Sequence, residues 1–444
     1  MRSQPRKAQP AWLTALSVLF SVVTTYLLYR WLGVEHSGVL LANTLLTSDL
    51  ITKESMRLLV NNLVFARTVN KTYDEKYFRA GAKNGDKVRV RKPPRYRGRS
   101  GSAMIVEPIK ETFIYVTMNE EFGVDLEVSN FDLALSLDNF SEKCLKPAVA
   151  RIANYMDEQC MKVAALAPPY QVGTPGTTPN ALLTYGLAAE KLDSNSAPQD
   201  DRRYMTLTSM MQVTIVDAAK SLFNAADEIS KQYRKGKMGH ALGFEWQMDQ
   251  NVYTHTVGPL GGTPVVDGAN QTGATLNMRA WTSAAANRLK KGDRFTLEST
   301  NHLNPSSYSS TGQLQQFVAT ADTDSTAAGL SATPISPAIT LAGAEATVNA
   351  SPADGAVITI VGAASTETPC GIAHHRDAVA LATADLPMPK GVDMGGLMSD
   401  EQLGLSIRFI RDFETRTGQW LTRLDVIFGV ADLRCESLAV VINS

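Results

Sequence analysis

The chain has 444 residues, 44% hydrophobic, 20% charged and 7% aromatic, which excludes a disordered or collagen-like polymer. Lys plus Arg number 43 and Asp plus Glu 44, a net charge of −1, so the chain is not a bulk polycation for nucleic acid. Four cysteines (Cys144, Cys160, Cys370, Cys435) show no Cys-x-x-Cys spacing, which argues against a zinc ribbon or a disulfide scaffold and for buried thiols in a reducing compartment.

Residues 11–29 carry no charge, with Arg2, Arg6 and Lys7 before them and Arg30 after. At about 1.5 Å per helical residue this run reaches roughly one bilayer core, with Trp12, Tyr26, Tyr29 and Trp31 near its ends as interface anchors would be. Two readings stand: a transmembrane or uncleaved signal segment, or a start site assigned too far upstream, since Leu41-Ala42-Asn43-Thr44 reads like the beginning of a soluble protein.

Residues 43–80 read as helical, with Leu50, Ile51, Met56, Leu59, Val60, Leu63 and Val64 at three- and four-residue steps and Ser48 or Asp49 as a start cap. Asn84-Gly85 signals a turn, and Val88 and Val90 alternate with Arg89 and Arg91 as in a strand. Lys83 to Arg99 holds eight basic residues and one acid, and Pro93-Pro94 forbids a sheet interior. Residues 104–118 read as the returning strand. The pair makes a long arm with a basic bend, too poor in apolar side chains to bury against itself and so expected to need an external surface.

Phe140 to Ala167 is the strongest helical stretch, with Asn139 and Glu142 fitting a capping box and Leu145, Ala148, Ile152, Met156, Cys160 and Val163 on one face. Pro147 should start, bend or kink it, and Pro168-Pro169 stops it. Residues 181–256 alternate helix (Ala181–Leu192, Ser209–Ala226) with strand (Tyr204–Thr206, Phe244–Thr254), an α/β pattern. From Phe295 to His375 there is no Lys or Arg, and short strands (Arg294–Leu297, Phe317–Ala319, Val357–Val361) recur between turn clusters, as in a small all-β domain inserted into the α/β one; a low-complexity linker is the alternative, disfavoured by the clean strand Val357–Val361. After Gly371 mixed character returns, with strands at Leu405–Ile410, Leu421–Phe428 and Leu438–Ile442.

Catalytic signatures are missing. Gly236-Lys237 is followed by Met238, not the hydroxyl of a phosphate loop, and there is no His-Glu-x-x-His or Gly-x-Ser-x-Gly. Asp322-Thr323-Asp324 opens like a calcium loop, but Ala327 and Thr333 stand where glycine and the bidentate glutamate belong. His374-His375 point to opposite faces of a strand and would chelate poorly. A hydrolase would need His240 to converge with carboxylates. No catalytic residue, cofactor or metal site is assigned.

The basic arm has two uses. Cations interleaved with Tyr96 resemble a nucleic-acid patch. The favoured reading is docking on an acidic protein surface of a neighbouring copy. The contact candidates are Arg89, Arg91, Lys92, Arg95, Arg97 and Arg99 on the arm. Their candidate partners on the next copy are Glu120, Glu121, Asp125 and Glu127, with Glu107, Glu111, Glu142, Asp157 and Glu158 as further acids.

The blocks ANTLLTSDLITKESMRLLVNNL, FGVDLEVSNFDLALSLDNFSEKCLKPAVARIANYMD, APQDDRRYM, FNAADEISKQYRKGKMGHALGFEWQMDQNVYTHTVG, AHHRDAVALATADLP and GLSIRFIRDFETRTGQWLTRLDVIFGV run in an order that resembles the tailed-bacteriophage major capsid protein, most closely the gene-5-type coat protein of short-tailed phages. The resemblance implies an α+β Hong Kong 97-type capsid fold with extended loop, long spine helix, central α/β domain and inserted small all-β domain. It divides the chain into an extension at 1–41, a helical arm at 42–79, an extended basic β-arm at 80–118, a peripheral domain with the spine at 119–180, an axial α/β domain at 181–257, the inserted β-domain at 258–366, and a return to axial and peripheral domains at 367–444. It further implies pentamers and hexamers in an icosahedral shell around double-stranded DNA, with a scaffolding protein and a portal, no small-molecule substrate, assembly in the host cytoplasm and a final place in the virion capsid. A membrane-anchored surface or adhesion protein is the alternative.

Overall fold

The computed structural model describes residues 48–71, 87–104, 106–107, 111–128, 144–219, 239–400, 405–416 and 419–444. The expectations for residues 1–41, the Asn84-Gly85 turn, the Asn139/Glu142 capping box and Gly236-Lys237-Met238 lie outside them.

Helix α1 (Ser48–Asn62) buries Ile51, Ser55, Met56, Leu58 and Leu59, the recurrence expected of an amphipathic helix. Within the described residues it stops at Asn62 instead of continuing through residues 63–71. The cause lies far away in sequence: the N–H groups of Val64 and Ala66 donate to the Asp157 carboxylate (2.9 and 2.7 Å) instead of to helical carbonyls. Residues 63–70 become a strap, tied by Asn70 N–H to Val379 carbonyl and Leu381 N–H to Asn70 carbonyl.

Strands β1 (Lys87–Lys92) and β2 (Thr112–Thr117) form an antiparallel two-stranded ribbon, Lys87 opposite Thr117 and Lys92 opposite Thr112. The returning strand is therefore shorter than 104–118, because the segment around the two prolines finds no ladder partner. β3 (Glu120–Val128) follows. Helix α2 (Lys146–Leu166) has Pro147 in its first turn, where a missing N–H costs nothing, so the proline starts the helix. Its inner face is Ala148, Val149, Ile152, Met156, Cys160, Met161 and Ala164.

Short β4 (Gln171–Val172), α3 (Leu182–Ser194), β5 (Arg203–Leu207), α4 (Ser209–Ala219), β6 (His240–Ala241), β7 (Phe244–Met248) and β8 (Thr254–Thr256) come next. Then follow β9 (Gly262–Val266), β10 (Gly273–Trp281), β11 (Ala286–Leu289), β12 (Arg294–Leu303), β13 (Ser310–Ala319), β14 (Thr323–Ser325), β15 (Ser331–Ile339) and β16 (Ile358–Ile360). The chain closes with β17 (Glu367–His375), β18 (Val379–Ala384), β19 (Met394–Asp400), β20 (Leu405–Glu414), β21 (Gln419–Asp432), α5 (Cys435–Leu438) and β22 (Ala439–Asn443).

Three larger sheets result. The body sheet runs β4-β22-β17-β5-β7-β6, with β8 on the first residues of β17. A five-stranded sheet runs β18-β21-β20-β19, with β3 also along β21. The third runs β16-β12-β13-β15-β10-β9, and its edges meet: Val265 bridges Val357, and Val266 and Gly355 exchange backbone contacts with Ala356 and Val266. Closure removes the free edges, so this is a small barrel. Its own core holds Trp281, Phe295, Leu297, Phe317 and Ile335. A larger core joins α1, α2, the body sheet and β20–β21.

The barrel is fixed to α2 by a buried polar joint. The Arg294 guanidinium donates to the carbonyls of Ala165, Pro168 and Gly292 (2.5, 2.9 and 3.1 Å), the first two at the end of α2. Burial pulls its pKa down to about 10. Beside it, the Gln316 side chain accepts from Gln171 N–H (2.9 Å).

Candidate inter-subunit surface

The ribbon has two unlike faces because side chains alternate along a strand. Val88, Val90 and Val116 point inward and are buried against Ala380, Ala382 and Leu433 of the same chain. The arm does use a surface outside itself, as expected, but for this face that surface is its own chain and not a neighbour: β18 and the residues at the end of β21, about 290 residues on. The outward face is cationic and aromatic. Arg89 lies 5.0 Å over the Phe113 ring, Phe113 meets Tyr115 edge-on at 5.3 Å, and Arg91 stands 3.5 Å from Glu111. Phe113 and Tyr115 remain 45% and 52% exposed, large for aromatic side chains in a finished core.

Beyond the ribbon, the bend is exposed from Tyr96 to Met104. Arg97 N–H donates to Glu107 (2.9 Å), and the Arg99 side chain to the Gly101 carbonyl. Lys92 and Arg95 are engaged within the chain, by Glu436 (3.4 Å) and Glu345 (3.7 Å).

The acids expected to receive the arm sit on β3, and the structure pairs most of them elsewhere. Glu121 lies 4.0 Å from Arg408 and 3.8 Å from Arg423, and Asp125 lies 3.6 Å from Arg423. Glu127 accepts from Gln419, and Glu120 from the Tyr155 hydroxyl (3.1 Å). Among the described residues of one chain the arm and these acids do not meet; Asp125 and the outer edge of Glu121 stay exposed. The centre of this network is Asp425, fully buried between Arg408 and Arg423 at 2.6 Å each. Gly123, opposite it on β3, has no side chain because a Cβ would lie 2.3 Å from the Asp425 carboxylate. The sequence shows only that Arg423 and Asp425, two apart on β21, share a face; it does not show that Arg408 and the β3 acids join them.

Asp157 is also not available to a neighbour. It faces inward and holds the strap, and burial pushes its pKa up to about 7 against the pull of the two N–H donors. Lys71 beside it is drawn down to about 8 by burial. Glu158, next on α2, is exposed. His374 and His375 serve the body separately. His374 Nε2 is 3.1 Å from Thr68 Oγ1 and its pKa falls to about 3 on burial, while His375 Nε2 is 3.0 Å from Asp200. His240 is exposed on β6. Among the described residues no group of three or more His, Cys, Asp or Glu could hold a metal ion, and no helix is long and apolar enough to cross a membrane.

The family model of the P22 coat protein, gene protein 5, matches residues 41–442. The molecule is thus a phage major capsid protein, a structural protein and not an enzyme. The chain belongs to the P22 coat protein family. Nothing in this match supports a membrane-anchored surface protein. A comparison with curated proteins finds no match. Solved structures similar to the chain include Mycobacterium phage Che8 (12% identity, 86% of this chain and 90% of that one, TM-score 0.42) and the capsid of Ralstonia phage GP4 (9%, 86% and 88%, 0.41). A virus-like particle from Pyrococcus furiosus is similar at 6% identity over 88% and 97% of the chains, with a TM-score of 0.35.

Proposed function

We propose that this coat protein builds an icosahedral head shell from pentamers and hexamers by gripping neighbouring copies with the β1–β2 arm. The observation that carries the reading is the two-faced ribbon: valines seated on its own body, arginines and aromatic rings presented to solvent. In this reading the fold is of the Hong Kong 97 type. Residues 80–118 are its extended loop, α2 within 119–180 its spine, 181–257 the axial domain and 258–366 an inserted domain, with 367–444 completing the axial and peripheral parts. The separate barrel core and the pairing of the flanking strands β8 and β17 support the insertion. Arg89 and Arg91 meet exposed acids such as Asp125 and Glu121 of the next copy. A near-neutral wall encloses double-stranded DNA without reading its sequence, and a scaffolding protein and a portal in the host cytoplasm direct assembly.

R89E/R91E tests the grip. Both side chains are exposed, so the variant folds with an unchanged melting curve but gives no closed shells by sedimentation and electron microscopy in the presence of scaffold. Normal shells from this variant would refute the role of the arm.

A further inference from the structure

The bend of the arm is held by its own chain before any neighbour arrives. Arg95 Nη1 lies 3.7 Å from Glu345 Oε2 on the barrel. Arg97 stacks 5.6 Å over the ring of Tyr308, also on the barrel. The single proton of the Tyr308 hydroxyl is shared between the Ala344 carbonyl (3.0 Å) and, more weakly, the Tyr96 carbonyl of the bend (3.4 Å). At the root of the bend, Lys92 Nζ is 3.4 Å from Glu436 on α5. The chemistry is complementary over a distance as well: from Phe295 to His375 the chain has no Lys or Arg, so that stretch of the barrel offers Glu345 no cation of its own. Behind Arg95 lies a cavity of about 200 Å³ lined by His302, Pro337, Glu345, Glu436 and Ser437, and the buried Ser437 hydroxyl makes no hydrogen bond. The joint is a seat with space behind it, not close-packed core.

We propose that these contacts form a latch made in cis. The barrel and α5 hold the bend of their own chain's arm and fix the angle at which it leaves the body toward a second copy. This rests on the reading of the arm as a grip between copies. The contacts lie at the surface, the Lys92 and Arg95 side chains partly covered and Glu345 well exposed; ion pairs so placed are individually weak and screened by salt, so the latch opens reversibly. All of them are made by one short segment anchored at its base by the buried valines, so closing one brings the others to high effective concentration.

Hydrogen exchange on the soluble chain reads the latch without assembly. Peptides covering residues 87–107 lose protection at least fivefold in R95E, in E345R and in Y308A, and R95E/E345R, which restores opposite charges, returns to within twofold of the parent. Parent-like protection in all three single variants overturns the proposal. R89E/R91E, on the opposite face, leaves this protection unchanged even where it abolishes shells, so failure of the grip and failure of the latch are read apart. Shells then separate cis from trans. R95E/E345R in one chain restores closed particles, whereas an equimolar mixture of R95E chains and E345R chains does not. Rescue by the mixture equal to that by the double variant would place the contact between copies and overturn the latch. All variants are checked by melting curve; Glu345 is well exposed, so E345R is expected to fold.

Discussion

At the scale of single residues, Asp157 decides where a helix ends and what the strap rests on. Its two oxygens receive the N–H groups of Val64 and Ala66, which have no helical carbonyl to serve once α1 has stopped. D157A strands two N–H groups beneath the strap, at about 1–3 kcal/mol each, and is expected to cost about 2–6 kcal/mol in urea unfolding. The pH dependence has a definite sign. Burial raises the folded-state pKa to about 7 from an ordinary 3.8. Between those values the folded chain holds a proton that the unfolded chain has released, so stability from this group falls as pH rises through the window. The cost of D157A is therefore larger at pH 5 than at pH 8. A cost that grew with pH would mean that the hydrogen bonds to the charged carboxylate outweigh its burial.

At the scale of elements, the joint between barrel and helix rests on Arg294, whose fork satisfies carbonyls that α2 leaves open at its end. A lysine has the charge but not the planar fork, and cannot serve three carbonyls in that geometry. R294K is expected to lower the stability of the whole chain by about 3–5 kcal/mol, the range for a buried cation deprived of partners, read as a shift in urea midpoint at unchanged slope. What the sequence disclosed and what it hid differ along the same line. The inner face of α2 was legible from Leu145, Ala148, Ile152, Met156 and Cys160, because helical period is local. The alternation of Val88 and Val90 with Arg89 and Arg91 was legible for the same reason. The end of α1 was not, since its cause is a carboxylate about 90 residues on. Nor was the seat of the ribbon, which is Ala380, Ala382 and Leu433, nor the capture of the β3 acids by Arg408 and Arg423. Each depends on a partner brought near only by the completed fold, and composition carries no trace of which distant charge will arrive.

At the scale of the whole molecule, two cores are joined by a narrow crossing. The chain enters and leaves the barrel side by side: Val257 N–H donates to the Thr366 carbonyl (3.0 Å) and Ser365 N–H to the Gly258 carbonyl (3.2 Å). Excision there leaves ends that already adjoin and cuts no barrel strand. The sheet is closed, and aromatic residues such as Phe295, Phe317 and Trp281 fill it without help from the body. Residues 258–366 alone are therefore expected to fold and to unfold in a single cooperative transition, followed by circular dichroism in urea. Removal of the body also exposes Arg294 to water, where it no longer depends on Ala165 and Pro168. R294K should then be nearly silent in the isolated barrel, within about 0.5 kcal/mol as for ordinary surface changes, while it remains costly in the full chain. Equal losses in both settings would show that Arg294 serves the barrel itself and not its attachment to α2. A barrel unable to fold alone would show that its core depends on the body it is seated on.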